Sequence, residues 1–306
     1  MQTVIKIDRE NSDFLVFVQH GWTDDNKDIS RLARALTSPS TVAIAPSLGK
    51  LRTWWTIEPL IQQVEQIATA TIKKYPAKPI RIIGHSMGGL IWLEVLHRHP
   101  EWWQKVDSLV LLGSPIGGSD ISRIIDPLNI GIGIARDLGE NRRWLAEKIA
   151  RNIPTLAIAS DLGNGSDGLV PVGATKFVHS QFICLPDITH AALKCHPSLV
   201  SIIKNFWSNP QLLTSPAEDL ATKLIGRLQS TPGMTDAHWG DFAFGQVYLS
   251  FANGITLHIW KNLLGVDYVF VADKNDKCLY AGYVGWLHAH DLRKTLAEIE
   301  AQIDFF

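Results

Sequence analysis

The sequence predicts an α/β protein with a mostly parallel sheet and helices on both faces, followed by a small α+β domain. Three observations carry this. From Phe14 to about Phe206, short apolar runs rich in β-branched residues alternate with segments of helical periodicity, the pattern of consecutive βαβ units. One such run, Ile80-Arg81-Ile82-Ile83, passes through Gly84-His85-Ser86-Met87-Gly88-Gly89 into an apolar helix. Beyond Asn209-Pro210 and Ser215-Pro216 the alternation stops, and strands follow one another directly.

Thr3 to Ile7 alternates polar and apolar residues, as a marginal edge strand does. Phe14-Leu15-Val16-Phe17-Val18 is apolar throughout, the signature of a strand covered on both faces, and it ends in His20-Gly21-Trp22. A helix is expected over Ile29 to Leu36, and a second buried strand over Thr41 to Ala45. Ile57, Leu60, Ile61, Val64, Ile67 and Ala68 keep helical spacing, so the helix there buries one face. The helix after Ser86 spans Leu90 to Leu96. Further strands are expected at Ser108 to Leu112, Pro154 to Ala159 and Phe182 to Leu185, then a helix carrying Leu199, Val200, Ile203 and Phe206. The Ser119 to Asn152 stretch is longer than an ordinary crossover and rich in isoleucine; it is expected to cap the site, the alternative being a plain crossover helix with a long lead-in.

In the C-terminal part, a helix from about Ala217 to Leu228 precedes strands at Phe244–Phe251, Ile255–Trp260, Tyr268–Ala272 and Leu279–Val284. Asn253-Gly254 signals a two-residue hairpin turn, because both residues tolerate positive φ. A last helix presents Leu292, Leu296, Ile299 and Ile303 on one face. The expected division is residues 1–212, with the cap-like insertion at about 119–152, and an accessory domain at 213–306. Its two helices are expected on one sheet face. The other face or an edge, with Tyr248, Trp260, Tyr268, Tyr280 and Trp286, then remains for self-association or partner binding, unless these aromatics fill a small core instead.

Composition narrows the function. A net charge of −1 and 19% charged residues give no reason to expect a nucleic-acid partner. No apolar stretch approaches the ~20 residues that span a bilayer. The N-terminal residues lack the apolar core of a signal peptide, and Cys184, Cys195 and Cys278 are odd in number without metal-ligand spacing. The expectation is a cytoplasmic protein without metal or organic cofactor. Of the eleven tryptophans, most are expected in packing roles.

The chemistry centres on Ser86. A serine flanked at two residues on either side by glycine, between strand and helix, fits a nucleophile elbow: the sharp turn lifts the hydroxyl above the sheet. The helix start behind it offers backbone N–H groups without intrahelical acceptors. A serine needs a base, and the base an orienting acid. His190, in Pro186-Asp187-Ile188-Thr189-His190, lies just past a late strand, whereas His196 falls at a helix start. Asp167, in a glycine-rich loop anchored by Val170-Pro171, is the stronger acid candidate; Asp161 is the alternative. The oxyanion donors are expected to be the backbone N–H groups of Met87 and Trp22, with Gly21 allowing close approach and His20 in a structural role.

With these residues in place, the sequence from about 12 to 208 resembles the α/β-hydrolase superfamily, in particular serine hydrolases of the lipase and esterase type. Ser114-Pro115-Ile116-Gly117-Gly118-Ser119 is similar to the Thr-Pro-His-x-Gly-Ser stretch of small lipases and lipase-like inositol deacylases, with Ser114 and Ile116 departing from it. The resemblance implies cleavage of a small-molecule or lipid-like ester through an acyl-enzyme. Acyl transfer or thioester hydrolysis would use the same residues, and a catalytically silent binding module is the non-enzymatic alternative.

Overall fold

The computed structural model of the protein describes residues 14–38, 41–49, 56–118, 134–214 and 219–302. Its first part is a six-stranded sheet, all neighbours parallel, in the order β2-β1-β3-β4-β5-β6. The strands are β1 Leu15–Gln19, β2 Val42–Ile44, β3 Ile80–His85, β4 Val106–Leu112, β5 Thr155–Asp161 and β6 Ser180–Pro186. The continuous apolar runs have a plain cause, since alternate side chains point to opposite faces. Leu15 and Phe17 join one core with α2 (Glu58–Lys74) and α3 (Met87–Arg98). Val16 and Val18 join a second core with α1 (Lys27–Leu36) and a later helix, Ser198–Ser208.

The expected edge strand at Thr3 to Ile7 and the first part of the expected cap, 119–133 with Ile130 and Ile132, lie outside the described residues. The rest of that stretch forms α4 (Ile134–Gly139) and α5 (Arg143–Ala150). Leu145, Ala146, Ile149 and Ala150 of α5 belong to the first core, so this part packs as a crossover helix does. No helix among the described residues is long and apolar enough to cross a membrane.

The second part is an antiparallel sheet in the order β7-β11-β10-β9-β8. Its strands are β7 Met234–Asp236, β8 Gln246–Ser250, β9 Thr256–Lys261, β10 Asp267–Ala272 and β11 Cys278–Val284. The helices at Leu220–Gln229 and Ala289–Ala301 both pack on one face, where Leu224, Leu228, Leu292, Leu296 and Ile299 meet Leu257, Val269 and Val271. Ile303 lies outside the described residues.

Three features depart from expectation. β7 is an added edge strand. Trp239–Phe244 forms a 3-10 helix rather than a strand start, and its Phe242 packs on the second face beside Tyr268, Phe270 and Tyr283. Tyr268 and Tyr280 are accordingly buried core residues, not surface aromatics. The Asn253-Gly254 hairpin is present, but only Gly254 takes positive φ, 84°. Its turn is longer than two residues: Phe251 N–H donates to Ile255 O, and the Asn253 side chain accepts from Ile255 N–H.

The two parts meet at β7. Asp236 N–H donates to Gly117 O at 3.1 Å. The Asp236 carboxylate, fully buried, pairs with Arg143 of α5 and accepts the Tyr280 hydroxyl at 2.8 Å. Trp239 lies against Gly165, in the loop that carries Asp167. A cavity of about 1010 Å³ opens between the parts, with Trp144, Phe182, Ile225 and Met234 in its wall. Neither Ser86, Asp167 nor His190 lines it.

Candidate active site

Ser86 stands where β3 hands over to α3. Its backbone has φ 55° and ψ −128°, a conformation that is strained for a residue with a side chain and characteristic of a nucleophile elbow. The strain is held from both sides. Ser86 N–H donates to Leu112 O at 2.8 Å, tying the turn to β4. The apolar α3, with Leu90, Ile91, Trp92 and Leu93 all buried, fixes the turn from below.

The loop after β1 touches the serine. A side-chain carbon on Gly21 would lie 2.7 Å from Ser86 Cβ and 3.2 Å from its Oγ, so this backbone reaches the hydroxyl only because residue 21 is glycine. His20 holds the loop. Its Nδ1–H donates to Gly21 O at 2.9 Å, and its Nε2 accepts Leu48 N–H at 3.0 Å. Burial lowers the His20 pKa, in keeping with a neutral ring that both donates and accepts. Trp22 follows, half-buried against the first core. Lys194 ties Asp24 of the same loop at 2.7 Å.

Asp167 and His190 come together. Asp167 Oδ2 is 2.6 Å from His190 Nδ1, and His190 N–H donates to Asp167 O at 2.9 Å. The other carboxylate oxygen accepts Leu169 N–H at 3.0 Å and Val170 N–H at 2.7 Å. Both oxygens of a buried carboxylate are therefore occupied, which fixes its orientation. Asp161 does something else: its Oδ1 accepts Gly163 N–H and Gly165 N–H, each at 2.8 Å, and so closes the loop that presents Asp167. Gly113, at the end of β4, has φ 54°. A side-chain carbon there would sit 3.2 Å from both Asp167 Oδ2 and His190 Nδ1, inside the carboxylate–imidazole contact. His196 is at the helix start, as expected, bonded to the Ser198 hydroxyl at 2.7 Å.

The sequence analysis assigned no role to His85, and the structure gives it one. His85 is wholly buried, and its Nε2–H donates to His190 O at 3.0 Å, with the two rings 4.8 Å apart. Burial drives its pKa well down, so the ring is neutral. Its signal was in plain view, one residue before Ser86, but nothing in the sequence says that a side chain there reaches the loop of His190. Ser160 gives similar support, its hydroxyl donating to Ile188 O at 2.7 Å. Among the described residues no group of His, Cys, Asp and Glu side chains is arranged to hold a metal.

The Hydrolase_4 family profile, described as serine aminopeptidase, S33, matches residues 11–163. No curated protein matches the sequence. Among solved structures, the propeptide form of a Bacillus licheniformis lipase superposes with a TM-score of 0.54 at 12% identity, over 90% of this chain and 69% of that one. The mature form of the same lipase gives 0.50 at 12% identity, over 65% of this chain and 93% of that one. A soluble variant of the Saccharomyces cerevisiae monoglyceride lipase, in complex with a substrate analogue, gives 0.50 at 13% identity, over 70% and 92%.

Proposed function

The chain belongs to the α/β-hydrolase family described as serine aminopeptidase, S33, and from that premise we propose that it is a serine hydrolase of carboxylic esters with an apolar acyl part. The observation that carries the reading is the 2.6 Å contact between Asp167 and His190 Nδ1, together with a serine held in elbow geometry at the end of β3. With Nδ1 taken by the carboxylate, Nε2 is the nitrogen left to serve as base.

In this reading Ser86 Oγ attacks the acyl carbonyl as His190 Nε2 takes its proton, and Asp167 stabilises the imidazolium that forms. The backbone N–H groups of Trp22 and Met87 receive the developing alkoxide. Met87 opens α3, where an N–H has no intrahelical acceptor. His190 then protonates the leaving alcohol, leaving an acyl-enzyme on Ser86. Water, deprotonated by the same nitrogen, attacks the acyl carbon, releases the acid and restores the serine.

The ester assignment is supported by the lipase neighbours and by the isoleucine-rich stretch after Gly118. The test is a panel of nitrophenyl esters of graded acyl length, acyl thioesters and aminoacyl amides. The expected result is turnover of esters, with longer acyl chains favoured over acetyl. Preference for thioesters would move the assignment to a thioesterase, and turnover of amides alone would replace it with a peptidase.

A further inference from the structure

The antiparallel sheet has two ends that differ in a way its fold does not require. At one end the β10–β11 turn is built by Asp273, whose Oδ1 accepts Asn275 N–H at 2.8 Å and Lys277 N–H at 3.0 Å. The tip it presents is Lys274-Asn275-Asp276. At the other end the β9–β10 turn has the same construction. Asn262 Oδ1 accepts Leu264 N–H at 2.9 Å and Val266 N–H at 3.0 Å, and Asn262 O accepts Gly265 N–H at 2.9 Å. Here the tip is Leu263-Leu264, with Leu263 105% and Leu264 64% exposed. In both turns the first residue does the folding work. The two leucines contribute nothing to it, and they stand in water.

They do not stand alone. Asp267 pairs with Val284, so the segment after β11 emerges beside this turn. Trp286 Nε1–H donates to Leu264 O at 2.9 Å, leaving the indole ring 64% exposed, and Leu287 is 92% exposed. Phe244 stacks on Trp260 close by, with ring centroids 5.3 Å apart. At its border Lys261 pairs with Asp267, and the His288 ring is hydrogen-bonded to Asp291, each at 2.9 Å.

We propose that this end of the C-terminal domain docks on an uncharged lipid–water interface, with Leu263, Leu264, Trp286 and Leu287 entering the acyl region. Three features favour lipid over a protein partner. Side chains that project fully from two adjacent loops form a convex tip, which suits a deformable apolar medium; protein anchors are recognised in fitted pockets. The turn's N–H groups at 264, 265 and 266 and the Trp286 indole N–H are bonded internally, which lowers the cost of entering hydrocarbon. A tryptophan with its polar edge satisfied and its ring exposed is the residue favoured at such boundaries. With Lys261 paired to Asp267, the tip offers no lone cation of its own to anionic headgroups, so its attraction is apolar. The proposal goes beyond ester hydrolysis, and its test reads binding without turnover.

The test is co-sedimentation of the full chain with phosphatidylcholine vesicles at low and high salt, beside the double variant Leu263→Asp, Leu287→Asp. Unchanged circular dichroism and thermal midpoint establish that the variant is folded. The pair Leu263→Ser, Leu287→Ser replaces it if the aspartates impair folding. The expected result is binding of the native chain at both salt levels and a loss on the order of 100-fold in the variant, as two leucines leave hydrocarbon. A native chain that stays in the supernatant overturns the proposal. So does equal binding by a folded variant. Sedimentation velocity gives the remaining outcome: a native dimer that the variant dissolves, without vesicle binding, makes the tip a self-association surface and overturns the lipid assignment.

Discussion

At the carboxyl edge of the parallel sheet, buried polar side chains are held by polar partners: Asp167 by His190 and two backbone N–H groups, His20 by Gly21 and Leu48, His85 by the carbonyl of residue 190. At one end of the antiparallel sheet the opposite holds, since the turn's N–H groups are bonded to Asn262, the Trp286 indole N–H is bonded to Leu264 O, and the projecting side chains are leucine and tryptophan. Both regions are loops at strand ends, but they solve different problems. A polar constellation placed in low dielectric must be satisfied in advance if one group is to be left poised. An apolar tip needs only to hide its backbone. The contrast separates a region suited to chemistry from one suited to contact.

The largest test of that contrast sets two aspartates of one loop against each other. Asp167→Asn should lower kcat by about four orders of magnitude, since the amide cannot hold the imidazole in its working tautomer. Asp161→Asn should cost ~10-fold or less, since its carboxylate caps Gly163 and Gly165 and does not touch His190. Steady-state kinetics on a soluble ester measures both. A reversal would exchange their roles.

A second test addresses the join between the regions. Arg143→Met leaves the Asp236 carboxylate buried without its cation, which should cost about 3–5 kcal/mol of stability. Burial already holds Asp236 above the usual carboxylate range even though Arg143 pulls it down. A group whose folded pKa is raised favours the folded state when protonated, and that advantage fades as pH climbs from the unfolded value through the folded one. Losing the guanidinium widens the gap. The variant's melting temperature, relative to the native chain, should therefore fall further as pH is raised above ~4. A pH-independent difference would mean that the pair is not the source of the effect.

What the sequence made legible follows from range. Ser86, Asp167 and His190 each sit at the end of a strand whose apolar run is unmistakable, so topology alone brings them to one edge. β7 was missed because Met234-Thr235-Asp236 has three residues and no alternation, and because Asp236 reads as a turn former until Arg143 is seen opposite. The strand expected from Phe244 begins at Gln246, because the 3-10 helix Trp239–Phe244 takes up the first residue as Phe242 packs against His258 and Phe270. His85 was hidden for the same reason as Asp236, as both act across distances that no local pattern encodes. The apolar tip was partly visible. Trp286 was marked as a surface aromatic, but Leu263 and Leu264 stand out only once their turn is seen to fold without them.

The measurement that tests the central claim most directly is labelling by a fluorophosphonate, which reacts with a serine only when base, acid and oxyanion donors activate it. The native chain should take up one label, mapped by mass spectrometry to the peptide containing Ser86, with parallel loss of ester turnover. Ser86→Ala should take up none. Stoichiometric labelling of folded Ser86→Ala, or a native chain that hydrolyses esters while Ser86 stays unmodified, would contradict the account.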